Sequence, residues 1–513
     1  MIEIKRMKQL LYKLIFQTII LVFLGSCSNP SKDSNRPRGS SDCISQEGSV
    51  ERKIQLESEL RGQVKFLHEA ENFTSITDRM SEHNIPALSL AVINKGRIDW
   101  ADIYKNVNFP EVQNLDCSSI FQAASLSKPV TFLAALRLHS AGEIDLDKNI
   151  QAYLKDFVLP PGKQTTDNPV TFRNIFSHTS GINPGGYRGY ARNLPIPSDL
   201  DILRGKEEVN TPAIEVSMQP DETLAYSGGG YTLAELALQN IFNEEFSNIM
   251  NKWILEPAGM KHSEFTQPLP DSTSDQVAKG YTQSGDVLDG GWNNYPEQAA
   301  AGLWTNSIDM AKFLIEIYNA YQGNSSIFSQ SDIKTILSHE RDGHIYGFIV
   351  NRTEDDIALT HYGGNEGYRT GMTISLSSGN GLVYLINSDN GGPLGNELLL
   401  SASQVYEWQH FKQTDVQRKH VSSEVLKGLT GEYKWNNQID LSITFDEKNN
   451  QILLYFPNGD EYKLTTIIGD ELDFIHPNTG VKVSFSMNDD LPSFNLYGQN
   501  AIKLKSKTDA NKK

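Results

Sequence analysis

The spacing of apolar positions changes character several times along this chain. Near the start, Lys5, Arg6, Lys8 and Lys13 precede an apolar run from Leu14 to Leu24, broken by Gln17 and Thr18. The run is shorter than the about 20 residues a spanning helix needs, so it reads as a secretion leader. Residues 28–49 are rich in Ser, Asn, Pro, Asp and Arg and predict a flexible tether. Arg52 to His68 predicts a helix. Leu88 to Ile93 and Arg97 to Ile103, joined by Asn94-Lys95-Gly96, predict a hairpin. Val130, Leu133, Ala134, Leu136 and Leu138 recur at helical spacing, and Gly142 ends that helix. A second helical run covers Thr232 to Gln239, behind the glycine-rich turn of Gly228-Gly229-Gly230. Gly371 to Leu376 and Leu382 to Ile386 flank Ser378-Gly379-Asn380-Gly381 as a second hairpin, with His361 just before these strands and close to a sheet edge. Beyond a polar break at Lys412 to Val421 the period becomes two. Leu441, Ile443 and Phe445 alternate, as do Val481, Val483 and Phe485, with turns at Pro457-Asn458-Gly459 and Asn478-Thr479-Gly480. This predicts a small antiparallel β domain, a barrel or curled sheet.

With 513 residues, the chain has room for two or more domains with substantial cores. Its formal charge of −17, with no basic cluster outside the leader, argues against a nucleic-acid partner. It has no Gly-x-Ser-x-Gly elbow, no His-Glu-x-x-His, no paired-cysteine spacing and no glycine-rich phosphate loop. An α/β-hydrolase, a zinc site and a nucleotide site are therefore not expected, and neither metal nor organic cofactor is called for.

The candidate chemistry lies at Ser125-Leu126-Ser127-Lys128. Residues three apart on a helix face the same way, which sets an amine beside a hydroxyl. A serine needs an adjacent base, and a lysine serves when burial lowers its pKa. The position near a helix N-terminus favours developing negative charge. A second copy, Ser331-Asp332-Ile333-Lys334, lies in a polar stretch with no apolar run leading in. Tyr104-Lys105-Asn106 reads as a strand end, and His178 as a structural histidine. Glu297 reads as a solvated loop acid.

The order Ser-x-x-Lys at Ser125 and Lys128, then Tyr226-Ser227-Gly228, then His361-Tyr362-Gly363-Gly364 resembles the serine β-lactamase and penicillin-binding superfamily, in its class C branch. Phe176-Ser177-His178-Thr179-Ser180-Gly181 and Ala299-Ala300-Ala301-Gly302-Leu303-Trp304-Thr305 resemble further signatures of that branch. The resemblance implies an α/β (α+β) fold, with an antiparallel sheet flanked by helices plus a helical subdomain. It implies Ser125 as the acylated nucleophile, with Lys128 and Tyr226 as the bases. It places His361, Gly363 and Gly364 at the substrate and oxyanion side, the hole being formed by the N–H groups of Ser125 and Gly364. Which of Lys128 and Tyr226 takes the proton stays open. Where the branch usually has Asn, this chain has Gly228, which weakens the case for amide substrates more than for esters. The expected function is a serine hydrolase acting on small esters, D-amino-acid peptides or β-lactam-like amides. The alternative is a sensor of penicillin or peptidoglycan fragments that acylates without turnover. The last domain resembles a lipocalin-like module.

Leu24-Gly25-Ser26-Cys27 resembles a bacterial lipobox, which implies cleavage before Cys27 and its lipidation. That gives a lipid anchor in the cell envelope, at the outer membrane or periplasm. Cys43 and Cys117 either pair or stay free. The expected organisation is a leader over 1–26, a tether over 27–65, a hydrolase domain over 66–415 and a β domain over 422–510.

Overall fold

The computed structural model describes residues 43–504, apart from 458, 460, 470–471 and 487–490. The leader, Cys27 and the tether as far as residue 42 lie outside the described residues, as does Asn458 of one expected turn.

Eight strands build one antiparallel sheet. Their spatial order is Ile44–Ser45, Arg97–Lys105, Ala87–Asn94, Gly381–Ile386, Tyr368–Ser375, Ile357–Asn365, Phe348–Arg352 and His344–Ile345. Both expected hairpins are present: Leu90 pairs with Asp102, and Thr373 with Leu382. Alternation along Ala87–Asn94 divides its side chains between two layers. Ala87, Ala91 and Ile93 share a core with residues of helices Ser127–Ser140 and Ser307–Gln322. Leu88, Leu90 and Val92 pack with Val50–Ser58, Ile76–Glu82 and Gly392–Val405 on the other face. The small residues on the first face let a helix approach closely: Ser89 Oγ lies 2.8 Å from Ser307 Oγ. Helices Phe172–Phe176, Asp199–Arg204, Gly228–Phe242 and Phe246–Met250 form the helical part.

From Cys43 onward, the stretch expected to be a tether is packed against this domain. Ile44–Ser45 pairs with the edge strand, and Cys43 is disulfide-bonded to Cys117, with Cα atoms 5.9 Å apart. Helix Val50–Ser58 buries Leu56 and is anchored by Arg52–Asp99 and Lys53–Asp102, each at 2.8 Å. Polar composition predicted mobility here, but the cross-link and edge pairing override it. The helix also stops at Ser58 instead of reaching His68. Leu60 bridges to Thr74, and Val64–Phe66 pairs in parallel with Thr414–Val416, so long-range pairing captures the second half of the expected helix.

The last domain is a closed eight-stranded barrel running from Gly431–Trp435 to Gln499–Lys503, its first and last strands paired through Tyr433 and Lys503. Its interior is filled by Tyr433, Trp435, Leu454, Phe474, Phe485 and Phe494. Closure leaves no strand edge to pair with another chain. Val64, Phe66, Val416, Ile467 and Ile475 join the barrel to the linker strands. Among the described residues, no helix is long and apolar enough to cross a membrane.

Candidate active site

Phe121–Gln122 pairs with Trp304–Thr305 and delivers the chain to a tight turn at Ala124–Leu126. Ala124 has φ of +51°, a left-handed conformation that costs a non-glycine residue about 1–2 kcal/mol. Ser127 holds this turn from both sides. Its hydroxyl donates to the Ala124 carbonyl at 2.6 Å and accepts from the Leu303 N–H at 3.0 Å. Helix Ser127–Ser140 follows, with Pro129 in its first turn, where no backbone N–H is required. Ser125 therefore sits at the mouth of the helix.

Lys128 Nζ donates to Ser125 Oγ at 3.2 Å and to the Ala300 carbonyl at 2.7 Å. The lysine is 2% exposed, and among the described residues no carboxylate acts on its charge. Burial lowers its pKa to about 7, so a large fraction is the neutral amine near neutrality. The faces of Tyr226 and Tyr231 lie 4.8 and 5.7 Å from Nζ. The Ala300 carbonyl is placed by Glu235, a buried acid on helix Gly228–Phe242 that accepts the Ala299 N–H at 2.8 Å. Burial pushes Glu235 far above the usual carboxylate range, which keeps it neutral. Glu235 was not singled out from the sequence. The available sign was an acid inside the apolar run Leu233-Ala234-Glu235-Leu236-Ala237.

Tyr226 enters from the turn ahead of helix Gly228–Phe242 and shares a hydrogen bond with the Ser125 hydroxyl. Burial raises the phenol pKa and keeps it protonated. His178 positions this turn. Its Nδ1 accepts the Ser227 N–H at 3.1 Å, and its ring centroid lies 4.4 Å from that of Tyr226. Burial, with Lys128 next, holds its pKa well below the ordinary value.

His361 is inside strand Ile357–Asn365 rather than before it. The neighbouring strand Phe348–Arg352 pairs only as far as Thr360. Beyond that point the edge is free of that strand, and the turn carrying Ser125 fills it: a Cβ built on Gly363 would lie 2.6 Å from the Ala123 carbonyl and 3.1 Å from the Ala124 Cβ. Glycine is required there for close approach. The Leu376 N–H donates to the Ile357 carbonyl at 2.8 Å, on the side of strand Tyr368–Ser375. Antiparallel alternation then turns the Gly364 N–H out through the open edge, where the serine's turn lies. Thr370 Oγ1 donates to the Ala123 carbonyl at 2.9 Å, and Asn365 Nδ2 donates to Gln122 Oε1 at 2.7 Å, both locking the turn to the sheet. His361 is buried and neither ring nitrogen has a hydrogen-bond partner. Burial, then the Lys128 and His344 charges, push it down to about 3, against a weaker pull from the Ser125 carbonyl. The imidazole is therefore neutral.

Glu297 departs from expectation. It is fully buried, neither carboxylate oxygen has a hydrogen-bond partner, and burial raises its pKa to about 8. A charge on Glu297 would raise the pKa values of Tyr187, Tyr190 and Tyr295, whose burial already raises them. Tyr104 ends a strand, as expected, and Asn106 there donates to the Ile85 carbonyl at 3.2 Å. The structure thus gathers Ser125, Lys128, Tyr226, His361, Gly363 and Gly364 at one place.

Known proteins resemble this chain in sequence and in fold. Penicillin-binding protein 4* of Bacillus subtilis (strain 168) is 22% identical over 414 residues, covering 75% of this chain and 87% of the relative. Protein flp of Staphylococcus aureus (strain MRSA252) is 22% identical over 323 residues, 61% of this chain; the chain spans 62% of that relative's length. The fold matches the octameric penicillin-binding protein homologue from Pyrococcus abyssi with a TM-score of 0.56 at 19% identity, covering 83% of this chain and 98% of that one. A model of the family described as Beta-lactamase matches residues 73–406, well over half of the chain. The chain belongs to the beta-lactamase family.

Proposed function

We propose that this protein is a serine hydrolase that works through an acyl-enzyme on small esters or D-amino-acid peptides, with β-lactam-like amides at the margin of its range. The observation that carries this reading is the buried Lys128 amine 3.2 Å from Ser125 Oγ. With its pKa near 7, Lys128 is the better base, whereas the raised pKa of Tyr226 suits it to donate. The neutral amine takes the Ser125 proton as Oγ attacks the substrate carbonyl. The carbonyl electrons move onto oxygen, which faces the N–H groups of Ser125 and Gly364. When the tetrahedral intermediate collapses, the leaving group departs with a proton relayed through Tyr226. Water, activated by the same groups in reverse, then attacks the acyl-enzyme and regenerates Ser125.

The test is nitrophenol release from an activated p-nitrophenyl ester by the full chain and by Ser125→Ala. Steady release by the wild type, lost in the variant, supports a turning-over hydrolase. Equal rates sink Ser125 as nucleophile. The departure at Gly228 favours one second reading, a sensor that acylates once; it would release a single equivalent and stop. We place the protein in the bacterial cell envelope, lipid-anchored through Cys27. The leader pattern and the penicillin-binding relatives support this. Failure of Cys27→Ser to abolish labelling by radioactive palmitate would refute the anchor.

A further inference from the structure

Gly228 stands two residues after Tyr226, at the position where the family resemblance implies an asparagine that binds the substrate's acylamide group. In this molecule another side chain lies over that position. A Cβ built on Gly228 would lie 3.0 Å from Cε2 and 3.3 Å from Cδ2 of Tyr187, and 3.1 Å from the Gly185 carbonyl. The Tyr187 ring thus packs against the Gly228 backbone. Its hydroxyl lies 2.8 Å from Thr232 Oγ1, one turn along the same helix. The loop carrying the ring is held at several points. The Gly228 N–H donates to the carbonyls of Pro184 and Gly185 at 3.1 and 3.0 Å. The Tyr295 hydroxyl donates to the Arg188 carbonyl at 3.1 Å, and Asn210 Nδ2 donates to the Gly189 carbonyl at 2.7 Å. Gly189 itself has φ of +76°, and a Cβ there would meet the Tyr295 ring at 2.7 Å, so the loop is fitted closely to its support.

We infer that Tyr187 is a specificity-determining residue on the acyl side of the site: with Gly228 it selects acyl groups that carry no acylamide beside the scissile carbonyl. This rests on the acyl-enzyme reading above and narrows its substrate class toward simple esters. The hydroxyl of Tyr187 is committed to Thr232, which leaves ring carbons facing the position of the missing amide. Ring carbons gain from contact with an apolar chain. An acylamide pressed against them loses water and finds no partner, which weakens binding by about fivefold to a hundredfold.

The experiment is a double-mutant cycle on the full chain with Gly228→Asn, Tyr187→Ala and the two combined. Thermal unfolding reads the packing. Gly228→Asn lowers Tm because its side chain meets the ring, and it lowers Tm less in the Tyr187→Ala background than in the wild type. Calorimetric binding of two boronic acids, which capture a nucleophilic serine without turnover, reads the selectivity. The wild type binds propylboronic acid about tenfold tighter than acetamidomethylboronic acid, and the double variant shifts that ratio about tenfold toward the acetamido compound. The proposal is overturned if Gly228→Asn leaves Tm unchanged, or if the ratio is the same in wild type and double variant. Failure of both boronic acids to bind any of the proteins instead overturns the reading of Ser125 as nucleophile. The melting cycle then still decides whether Tyr187 excludes a side chain at Gly228.

Discussion

Two segments of this molecule carry the same four-residue pattern, Ser125 to Lys128 and Ser331 to Lys334, and both lie in helical turns. In both, the i,i+3 spacing brings a hydroxyl and an amine to the same side. What differs is everything around them. Ser331 and Lys334 are exposed on helix Gln330–Leu337, where the Ser331 hydroxyl pairs with that of Ser329 at 2.8 Å. Lys128 is sealed under two tyrosines, and Ser125 faces an open strand edge that supplies a backbone donor. Spacing makes a pair; on the proposed reading, desolvation and an oxyanion edge make it reactive.

The largest expected effect sharpens this contrast. Ser125→Ala lowers kcat/KM for an activated ester by about a thousandfold or more, and Ser331→Ala leaves it unchanged. Comparable losses in both variants would remove the distinction.

The lysines come next. A base with pKa near 7 predicts acylation that rises with pH and levels off above about 7. Lys128→Arg, which keeps its charge at all accessible pH, should lose about a hundredfold in acylation together with that midpoint. Lys334→Arg should keep both. Persistence of the midpoint in Lys128→Arg would assign it to another group. The same burial makes a stability prediction. Lys128 binds a proton more weakly folded than unfolded, so stability rises with pH between about 7 and the ordinary lysine range near 10.5. Lys128→Met should therefore stabilise the fold, most below pH 7 and not at all above about 10.5. Denaturant melts at several pH values check this.

Gly363→Ala is expected to act through position alone. The added methyl meets the Ala123 carbonyl and the Ala124 Cβ and must push the serine's turn off the strand edge. A displacement of that kind costs up to about a hundredfold in kcat. Unchanged turnover would mean that the turn does not depend on the open edge.

How far the contrast could be read beforehand depended on the range of the interactions. The apolar periods around Leu88, Arg97 and Val130 are local, and the hairpin and helix Ser127–Ser140 appear where they predict. The order of Ser125, Tyr226 and His361 was legible as a family pattern. His361 lies inside its strand rather than before it, because pairing of Tyr362 with Gly371, a contact between separate segments, extends the strand through it. The burial of Glu297, the packing of Tyr187 on Gly228 and the closure of Tyr433 onto Lys503 all join distant segments. No window of sequence contains them. The edge strand after Cys43 was hidden by its polar neighbours, and only the bond to Cys117 and the register with Ala101 and Trp100 reveal it.

The smallest effect probes whether the exposed copy is truly separate from the site. Asp332 closes a capping box: its Oδ2 accepts the Ser329 N–H at 3.1 Å, and its own N–H donates to Ser329 Oγ at 3.1 Å. It also accepts from Ser140 Oγ at 3.3 Å, at the far end of helix Ser127–Ser140. That exposed contact is a direct link between the two copies. Asp332→Ala should cost about 0.5–1 kcal/mol of stability through the lost cap and leave ester turnover unchanged at temperatures well below Tm. The helix between Ser140 and Ser125 is buried along most of its length and held at its front by Ser127, so loosening its last residue has no route to Ser125. A fall in turnover larger than the loss of folded protein explains would show that the distal copy helps hold Ser125 in place.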